Sequence, residues 1–216
     1  MTARSARIAA CLLAALFSFA AGPTAHAENE ALALARRLDQ RHRALGGLSA
    51  RFTQTYRSGL LGREVVERGV VQIKRPGRMR WEYHQPEKKT FVCDGTNFYF
   101  YVPADRQVIV REQAGARGLP TLLLSGQGAI ADQFEVAFEA GPSAGRSLRL
   151  TPRRPDPEIE SVRLDLDARE RIVGLEVLDV QGNRSTFRFD DLREGQRLPD
   201  RLFRFDIPAG VEVVAG

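Results

Sequence analysis

The stretch VQIKRPGRMRWEY, from Val71 to Tyr83, places apolar side chains at alternate positions. Successive side chains of a β-strand point to opposite faces of the sheet, so this alternation predicts extended chain with one dry face. Pro76 and Gly77 interrupt the run without changing its parity. The exception is Arg75, which falls in the apolar series, where a cation is costly unless something on that face binds it. Arg75 is therefore the residue that most needs an explanation.

Similar alternating runs follow along the chain, separated by residues that favour turns. Asp94 and Gly95 form a dipeptide typical of a tight hairpin, and residues 103–106 supply a second turn. Polar residues occupy most of the intervening positions, which is typical of an antiparallel sheet covered on one side. The alternation predicts strands at 52–56, 64–83, 90–93, 98–102 and 107–111, and then in runs that contain Leu148, Val162, Val173, Phe187, and Phe203 with Phe205.

Two segments have helical rather than strand character. Asn29 can cap a helix whose apolar positions recur at helical spacing up to Leu45, and Gly46 and Gly47 supply its stop. Residues 118–133 lack the two-residue period and favour a short broken helix or two. These helices offer too little apolar surface to cover a flat sheet of so many strands, whereas a curved sheet can wrap around them. We predict a mainly β fold with helices: an open antiparallel half-barrel under a helical lid that encloses an apolar cavity.

The amino-terminal residues 1–27 have the features of a signal peptide. Arg4 and Arg7 precede an apolar run at 8–21, and residues 25–27 form an A-x-A cleavage signature. That run is shorter than the about 20 residues that span a bilayer. Cys11 follows a lipobox-like sequence, but here the apolar core comes after the cysteine instead of before it, which is the wrong order for acylation. We therefore predict a single exported domain, 28–216, that is monomeric and soluble in the periplasm.

Composition and motifs argue against nucleic-acid binding, metal binding and catalysis. The formal net charge of +5 is mild for 216 residues, and both signs are interleaved without a basic stripe. After signal removal only His42 and His84 remain, and HExxH and CxxC spacings do not occur, so neither a metal nor a cofactor is predicted. Cys93 with His84 is one candidate dyad, although Cys93 beside a turn is better explained as a small buried hydrophobe. Ser125 lacks the GxSxG context of a hydrolase.

Several carboxylates occur on the alternate, polar positions of the later strands or in turns. We expect them to face solvent and to have no catalytic role. They are Asp165, Asp167, Asp190 and Asp191.

The segment IKRPGRMRWEYHQP, 73–86, followed by Asp94, Gly95 and an aromatic run at 98–101 before Pro103, resembles the LolA family of periplasmic lipoprotein carriers. The pair of Arg75 and Pro76 before a tryptophan-bearing strand is its most specific part. Further matches cover the L-x-A-x-F-x-Q motif after the first helix and the carboxyl-terminal end. They are Leu48, Ala50, Phe52, Gln54, Gly69, Lys74, Phe203, Phe205, Pro208, Gly210 and Val211.

This resemblance implies a carrier that receives acylated lipoproteins from an inner-membrane ABC-type lipoprotein-releasing transporter and delivers them to a LolB-like outer-membrane acceptor lipoprotein. It also implies that the arginine before the proline, here Arg75, hydrogen-bonds the lid helices and governs opening. The family often has an aromatic residue two positions before the tryptophan, where this chain has Met79. We therefore predict Arg75 as the lid latch and an acyl cavity lined by Ile73, Met79, Trp81, Tyr83, Leu122 and Leu123.

Three other functions compete with this interpretation. An RseB-like regulatory protein uses a similar half-barrel to sense lipids or lipoproteins, but we expect it to carry an additional carboxyl-terminal domain. An acceptor of the LolB kind would need an acylated cysteine after its signal, and Cys11 is misplaced for that. A periplasmic hydrolase would need a nucleophile and a base at a recognisable spacing.

Overall fold

The computed structural model describes residues 23–112, 129–142 and 145–215. Within them, twelve strands form one open sheet in the order β12-β6-β5-β4-β3-β2-β1-β11-β10-β9-β8-β7. Neighbouring strands are antiparallel except β12, which pairs with β6 in parallel. The strands are β1 (Gly47–Arg57), β2 (Glu64–Lys74), β3 (Arg78–Gln85), β4 (Lys89–Cys93), β5 (Asn97–Val102), β6 (Gln107–Glu112), β7 (Phe134–Glu139), β8 (Arg146–Pro152), β9 (Ile159–Leu166), β10 (Ile172–Asp179), β11 (Arg184–Glu194) and β12 (Glu212–Ala215).

The prediction of one strand at 64–83 is wrong, because the Pro76–Gly77 turn divides it into a hairpin of β2 and β3, but the predicted parity of its apolar positions is confirmed. Val71 pairs with Trp81 and Ile73 with Met79, and all four side chains are buried. Gly77 adopts a positive φ of 69°, which glycine reaches at little steric cost. The turn therefore reverses the chain while keeping the apolar positions of both strands on one face, which we call the concave face.

Helix α1 (Pro23–Ala44) lies against the concave face, and its apolar side joins the same buried cluster as the sheet. Asn29 does not cap it, so this prediction is wrong: the described helix already includes residues 23–28, and residues 24–28 contain no glycine or proline that would stop it. The predicted carboxyl-terminal stop is confirmed, since α1 ends at Ala44, just before Gly46. The mainly β fold with an open sheet and a helical cover agrees with the prediction.

A second, short helix, α2 (Ile130–Gln133), lies in the segment predicted to be helical. Asp39 of α1 is buried, and its carboxylate accepts hydrogen bonds from the backbone N–H groups of Ile130 at 3.0 Å and Ala131 at 3.3 Å. These bonds satisfy amide groups that a helix start leaves without an intrahelical partner. Asp39 therefore joins α1 to α2, the two helices of the cover within the described residues.

The carboxyl-terminal segment crosses the opposite, convex face, and the predicted strand at Phe203 and Phe205 is wrong. Residues Asp200–Phe203 form a 3₁₀ turn, and Phe203 is buried. The Phe205 ring stacks on Tyr99 with ring centroids 5.4 Å apart. Arg80 Nη1 donates a hydrogen bond to the Leu202 carbonyl at 3.3 Å. The alternating spacing of Phe203 and Phe205 therefore reflects packing against side chains of the convex face. It does not reflect strand pairing at a sheet edge.

The expectation that Asp165 faces solvent is also wrong, because it is buried on the convex face. Ser147 Oγ donates a hydrogen bond to its Oδ1 at 2.7 Å. Gly141 lies against this pair, and a Cβ at that position would come within 1.9 Å of Ser147 Oγ. The chain after β7 thus covers a carboxylate that alternation alone assigns to solvent.

Candidate functional site

The centre of the concave face is an aromatic cluster. Phe52 of β1 meets Trp81 and Tyr83 of β3 edge to face, with ring centroids 5.0 and 4.9 Å apart. Trp81 also meets Phe187 of β11 at 5.3 Å. Gly69 of β2 makes room for it, because a Cβ there would lie 2.8 Å from Phe52 Cε1 and 1.9 Å from the Glu82 carbonyl oxygen. Such rings combine a large apolar area with defined geometry.

The predicted cavity residues that the structure describes are brought together on this face. Ile73, Met79 and Trp81 are almost completely buried, and Tyr83 is half-buried at the border of the cluster. Leu122 and Leu123 lie outside the described residues. The geometry places the four described residues in one continuous apolar layer with Phe52, and their role in binding acyl chains stays a prediction.

Arg75 lies at the end of β2, beside the carboxyl end of α1. Its backbone N–H donates to the Gly46 carbonyl at 3.2 Å, which ties the β2–β3 turn to the connection after the helix. Burial lowers the pKa of Arg75 to about 10, and the negative charge of Glu194 acts in the opposite direction. The guanidinium is therefore charged at neutral pH although it is half-buried.

His42 is a residue of this region to which the sequence assigned no role beyond the helical spacing. It is buried in the last turn of α1. Burial, and then the charges of Arg75 and Arg41, lower its pKa to about 3. It is therefore neutral at pH 7, and a cavity of about 20 Å³ opens beside it. The lining residues are His42, Leu48, Val71, Ile73, Ile172, Phe189, Leu192 and Glu194.

Four polar side chains on neighbouring strands also face the concave side. We call them the polar row: Gln54 of β1, Glu67 of β2, Tyr83 of β3 and Lys89 of β4. Gln54 is directly opposite Glu67, and Tyr83 is opposite Lys89. Tyr83 Oη donates to Gln54 Oε1 at 2.8 Å, and Lys89 Nζ donates to Glu67 Oε1 at 2.6 Å. Of these four residues, Tyr83 was predicted from the sequence as a cavity residue, and Gln54 was noted only as part of the family resemblance.

The polar row is adjacent to a buried donor. Trp81 Nε1 is buried, and within the described residues it has no hydrogen-bond acceptor. A buried N–H group without an acceptor costs about 1–3 kcal/mol, so such groups are rare in folded proteins. Tyr83, two residues further along the same face, keeps its proton because burial, and then the charge of Glu67, raise its pKa.

The described residues of this region do not have the features of a reactive or metal-binding centre. Cys93 is buried as predicted, its Sγ donates to the Gly77 carbonyl at 3.0 Å, and burial raises its pKa to about 11. Such a thiol carries little of the reactive thiolate at neutral pH. Across the described ranges, no three His, Cys, Asp or Glu side chains are grouped so that they could hold a metal ion. None of the described helices has the length and apolar character to cross a membrane.

Comparison with known proteins agrees with this architecture. A family described as outer membrane lipoprotein carrier protein LolA matches residues 43–206. The outer-membrane lipoprotein carrier protein of Chromohalobacter salexigens is 33% identical over 168 residues, covering 77% of this chain and 79% of that protein. The protein of the same description from Vibrio campbellii is 31% identical over 203 residues, covering 93% and 92%.

A solved structure shows the same fold at lower sequence identity. It is an uncharacterised conserved protein from Thermus thermophilus, with a TM-score of 0.52 and 15% identity, covering 84% of this chain and 97% of that one. The family match extends from the last turn of α1 to the segment on the convex face, and so includes Arg75 and the whole apolar layer. This chain therefore belongs to the LolA family.

Proposed function

We propose that this protein is a periplasmic chaperone that carries lipoproteins by binding their acyl chains against the concave face. The observation that carries the proposal is the continuous apolar layer formed by Phe52, Ile73, Met79 and Trp81 under α1. Membership of the LolA family, whose relatives are described as lipoprotein carriers, supports the choice of cargo. The action is binding and transfer, without catalysis.

The free energy that holds an acyl chain in a bilayer determines how much apolar surface the carrier must offer. A buried methylene contributes about 0.8 kcal/mol, so a sixteen-carbon chain is held in a bilayer by on the order of 12 kcal/mol. A carrier needs a comparably apolar site and must also release its cargo. The cavity beside His42 measures about 20 Å³ and has room for about one water molecule, far less than an acyl chain needs. Loading at this end therefore requires α1 to move away from the sheet.

Arg75 is the proposed latch for this movement. It lies where α1 ends, its backbone is bonded to Gly46, and its charge acts on His42 of the helix. A guanidinium presents five donors on an apolar stem, so it can bond polar groups of the cover while its stem packs on the sheet. Insertion of an acyl chain would separate the helix from Arg75 and couple opening to loading. Leu122 and Leu123 are proposed to complete the acyl site from the cover.

The proposed partners follow from the two ends of the route. Cargo would come from an inner-membrane ABC-type lipoprotein-releasing transporter and go to a LolB-like outer-membrane acceptor. Export would use residues 1–27 as the signal peptide and leave 28–216 as a monomeric domain. These steps are proposals for this chain.

Incubation with spheroplasts tests the carrier function. Purified protein added to energised spheroplasts should release acylated lipoproteins into the supernatant as a one-to-one complex, which native mass spectrometry can weigh. Spheroplasts depleted of ATP are the control, because an ABC-type transporter then cannot deliver cargo. Absence of release with a competent transporter would overturn the proposal and favour a regulatory sensor instead.

A further inference from the structure

The polar row places polar and charged side chains on a face that is otherwise apolar. Two of its members directly follow core residues on the same face, since Phe52 precedes Gln54 and Trp81 precedes Tyr83 by two positions. Glu67 is buried and Lys89 is half-buried, with side chains 12% and 24% exposed. Two charged groups have thus been withdrawn from most of their water beside an aromatic cluster.

Stability alone does not explain this arrangement. A buried ion pair loses about as much hydration energy as it gains in attraction, and apolar replacements of similar volume are often neutral or stabilising. The pair of Lys89 and Glu67 lies at the edge of the backbone pairing between these strands, because Lys89 is the first residue of β4 and the pairing of β2 with β3 begins one residue after Glu67, at Arg68. A ligand that needs polar partners at this position would explain why the charges are there.

The spacing along β2 fits an amphiphilic ligand. Glu67 and Arg75 are eight positions apart, which corresponds to roughly 26 Å of extended chain. The hydrocarbon of one bilayer leaflet is about half of the 30 Å core, or roughly 15 Å. A molecule with its polar end at the polar row can therefore lay its acyl chains along the apolar layer, under α1 and toward Arg75.

The donors and acceptors define the chemistry of that polar end. Lys89 Nζ has protons beyond the one that it gives to Glu67, and Tyr83 Oη can donate to a carbonyl oxygen in place of Gln54 Oε1. Trp81 Nε1 is a buried donor that lacks an acceptor in the described part of the chain. Glu67 and Gln54 can accept from an amide N–H. The mixture of donors and acceptors suits uncharged ester and amide groups better than a phosphate, because the carboxylate of Glu67 would repel an anion.

We propose that the polar row binds the ester and amide linkages that join acyl chains to the amino-terminal cysteine of a lipoprotein, and so sets the depth of the cargo in the cavity. This inference rests on the proposed carrier function. It adds a polar subsite that distinguishes acylated cysteine from bare hydrocarbon.

Tyr83→Phe is the first test, because it removes only the hydroxyl. Tyr101→Phe, on the convex face beside Phe205, is its matched control. The double variant Glu67→Gln with Lys89→Met removes both charges, so that neither is left buried and alone. Glu64→Gln with Lys88→Met, at exposed positions of the same regions, is the corresponding control. Circular dichroism and thermal unfolding verify that every variant is folded.

Affinities are measured for a tripalmitoyl-cysteinyl lipopeptide, a diacyl phospholipid and a fluorescent probe that is hydrocarbon alone. We expect the double variant to bind the lipopeptide at least about tenfold more weakly, Tyr83→Phe to show a smaller loss of the same kind, and the hydrocarbon probe to change by less than about twofold. An equal loss for the phospholipid identifies the glycerol esters as the shared group. A smaller loss for the phospholipid shows that the amide of the lipopeptide is also bound. Both results support the proposal that the polar row binds these linkages.

Three results overturn the inference: unchanged lipopeptide affinity in both variants, an equal loss for the hydrocarbon probe, or a loss confined to the phospholipid. Failure of the wild-type protein to bind any of the three ligands is a different result. It contradicts the proposed carrier function itself.

Discussion

Arg75 and His42 lie close enough for the charge of the arginine to help keep the histidine neutral. The two residues belong to different layers, since His42 is in the last turn of α1 and Arg75 follows β2 of the sheet. The carboxyl-terminal end of a helix ordinarily favours a protonated histidine, because the helix dipole is negative at that end. Burial and the neighbouring arginines reverse this preference, so the contact between the cover and the sheet depends on a neutral imidazole.

This relationship predicts that acid loosens the fold. His42 has a pKa of about 3 when folded and 6.5 when unfolded, so between these values the unfolded chain binds more protons and stability falls as pH falls. From pH 7 to pH 5, urea titrations should show a loss of about 2 kcal/mol in unfolding free energy that is absent in His42→Gln. His84→Gln, at an exposed position, should keep the wild-type slope. An equal slope in all three proteins would refute the assignment.

A latch at Arg75 predicts a defect in release. Arg75→Leu should remain folded and should still accept lipoproteins from spheroplasts, because the apolar layer is intact. Transfer to the acceptor should slow several-fold, because the closed form that expels cargo loses its polar contacts with the cover. Transfer is measured by the appearance of lipoprotein in acceptor-containing membranes, with exposed Arg63→Leu as the control. Transfer at the wild-type rate would rule out the latch.

The sequence predicts the structure correctly where residues close together in the chain determine it. Two such local properties are correct: Val71 and Trp81 lie on the same face, and a glycine occupies position 77, where φ is positive. The start of α1 was missed because Asn29 can cap a helix but nothing before it stops one. Glu67 and Lys89 meet only because β2, β3 and β4 pair in one register, and this register depends on contacts between distant segments.

The convex face is the clearest example of what alternation cannot predict. Phe203 and Phe205 have the spacing of a strand, yet their partners are side chains about a hundred residues earlier, such as Tyr99. We predict that Phe203→Ala lowers the free energy of unfolding by about 3–5 kcal/mol, because it empties a buried ring site. Chemical denaturation measures the loss, and Ile207→Ala, an exposed apolar residue nearby, should change it by less than about 0.5 kcal/mol.

The same variant separates stability from function. Phe203 is on the convex face, so the folded fraction of Phe203→Ala should bind a lipopeptide with wild-type affinity. A loss of affinity at temperatures where the protein is folded would show that the two faces of the sheet are coupled.

Trp81 supplies a direct test of the acyl site, because it is the single tryptophan of the chain and lies in the apolar layer. Bromine quenches indole fluorescence at close range, so a lipopeptide with brominated acyl chains should quench Trp81 while the unbrominated molecule does not. If the polar row holds the linkages two residues beyond Trp81, bromines near the carbonyl end should quench more strongly than bromines near the methyl end. Stronger quenching from the methyl end would reverse the orientation of the cargo, and binding without quenching from any position would remove Trp81 from the acyl site.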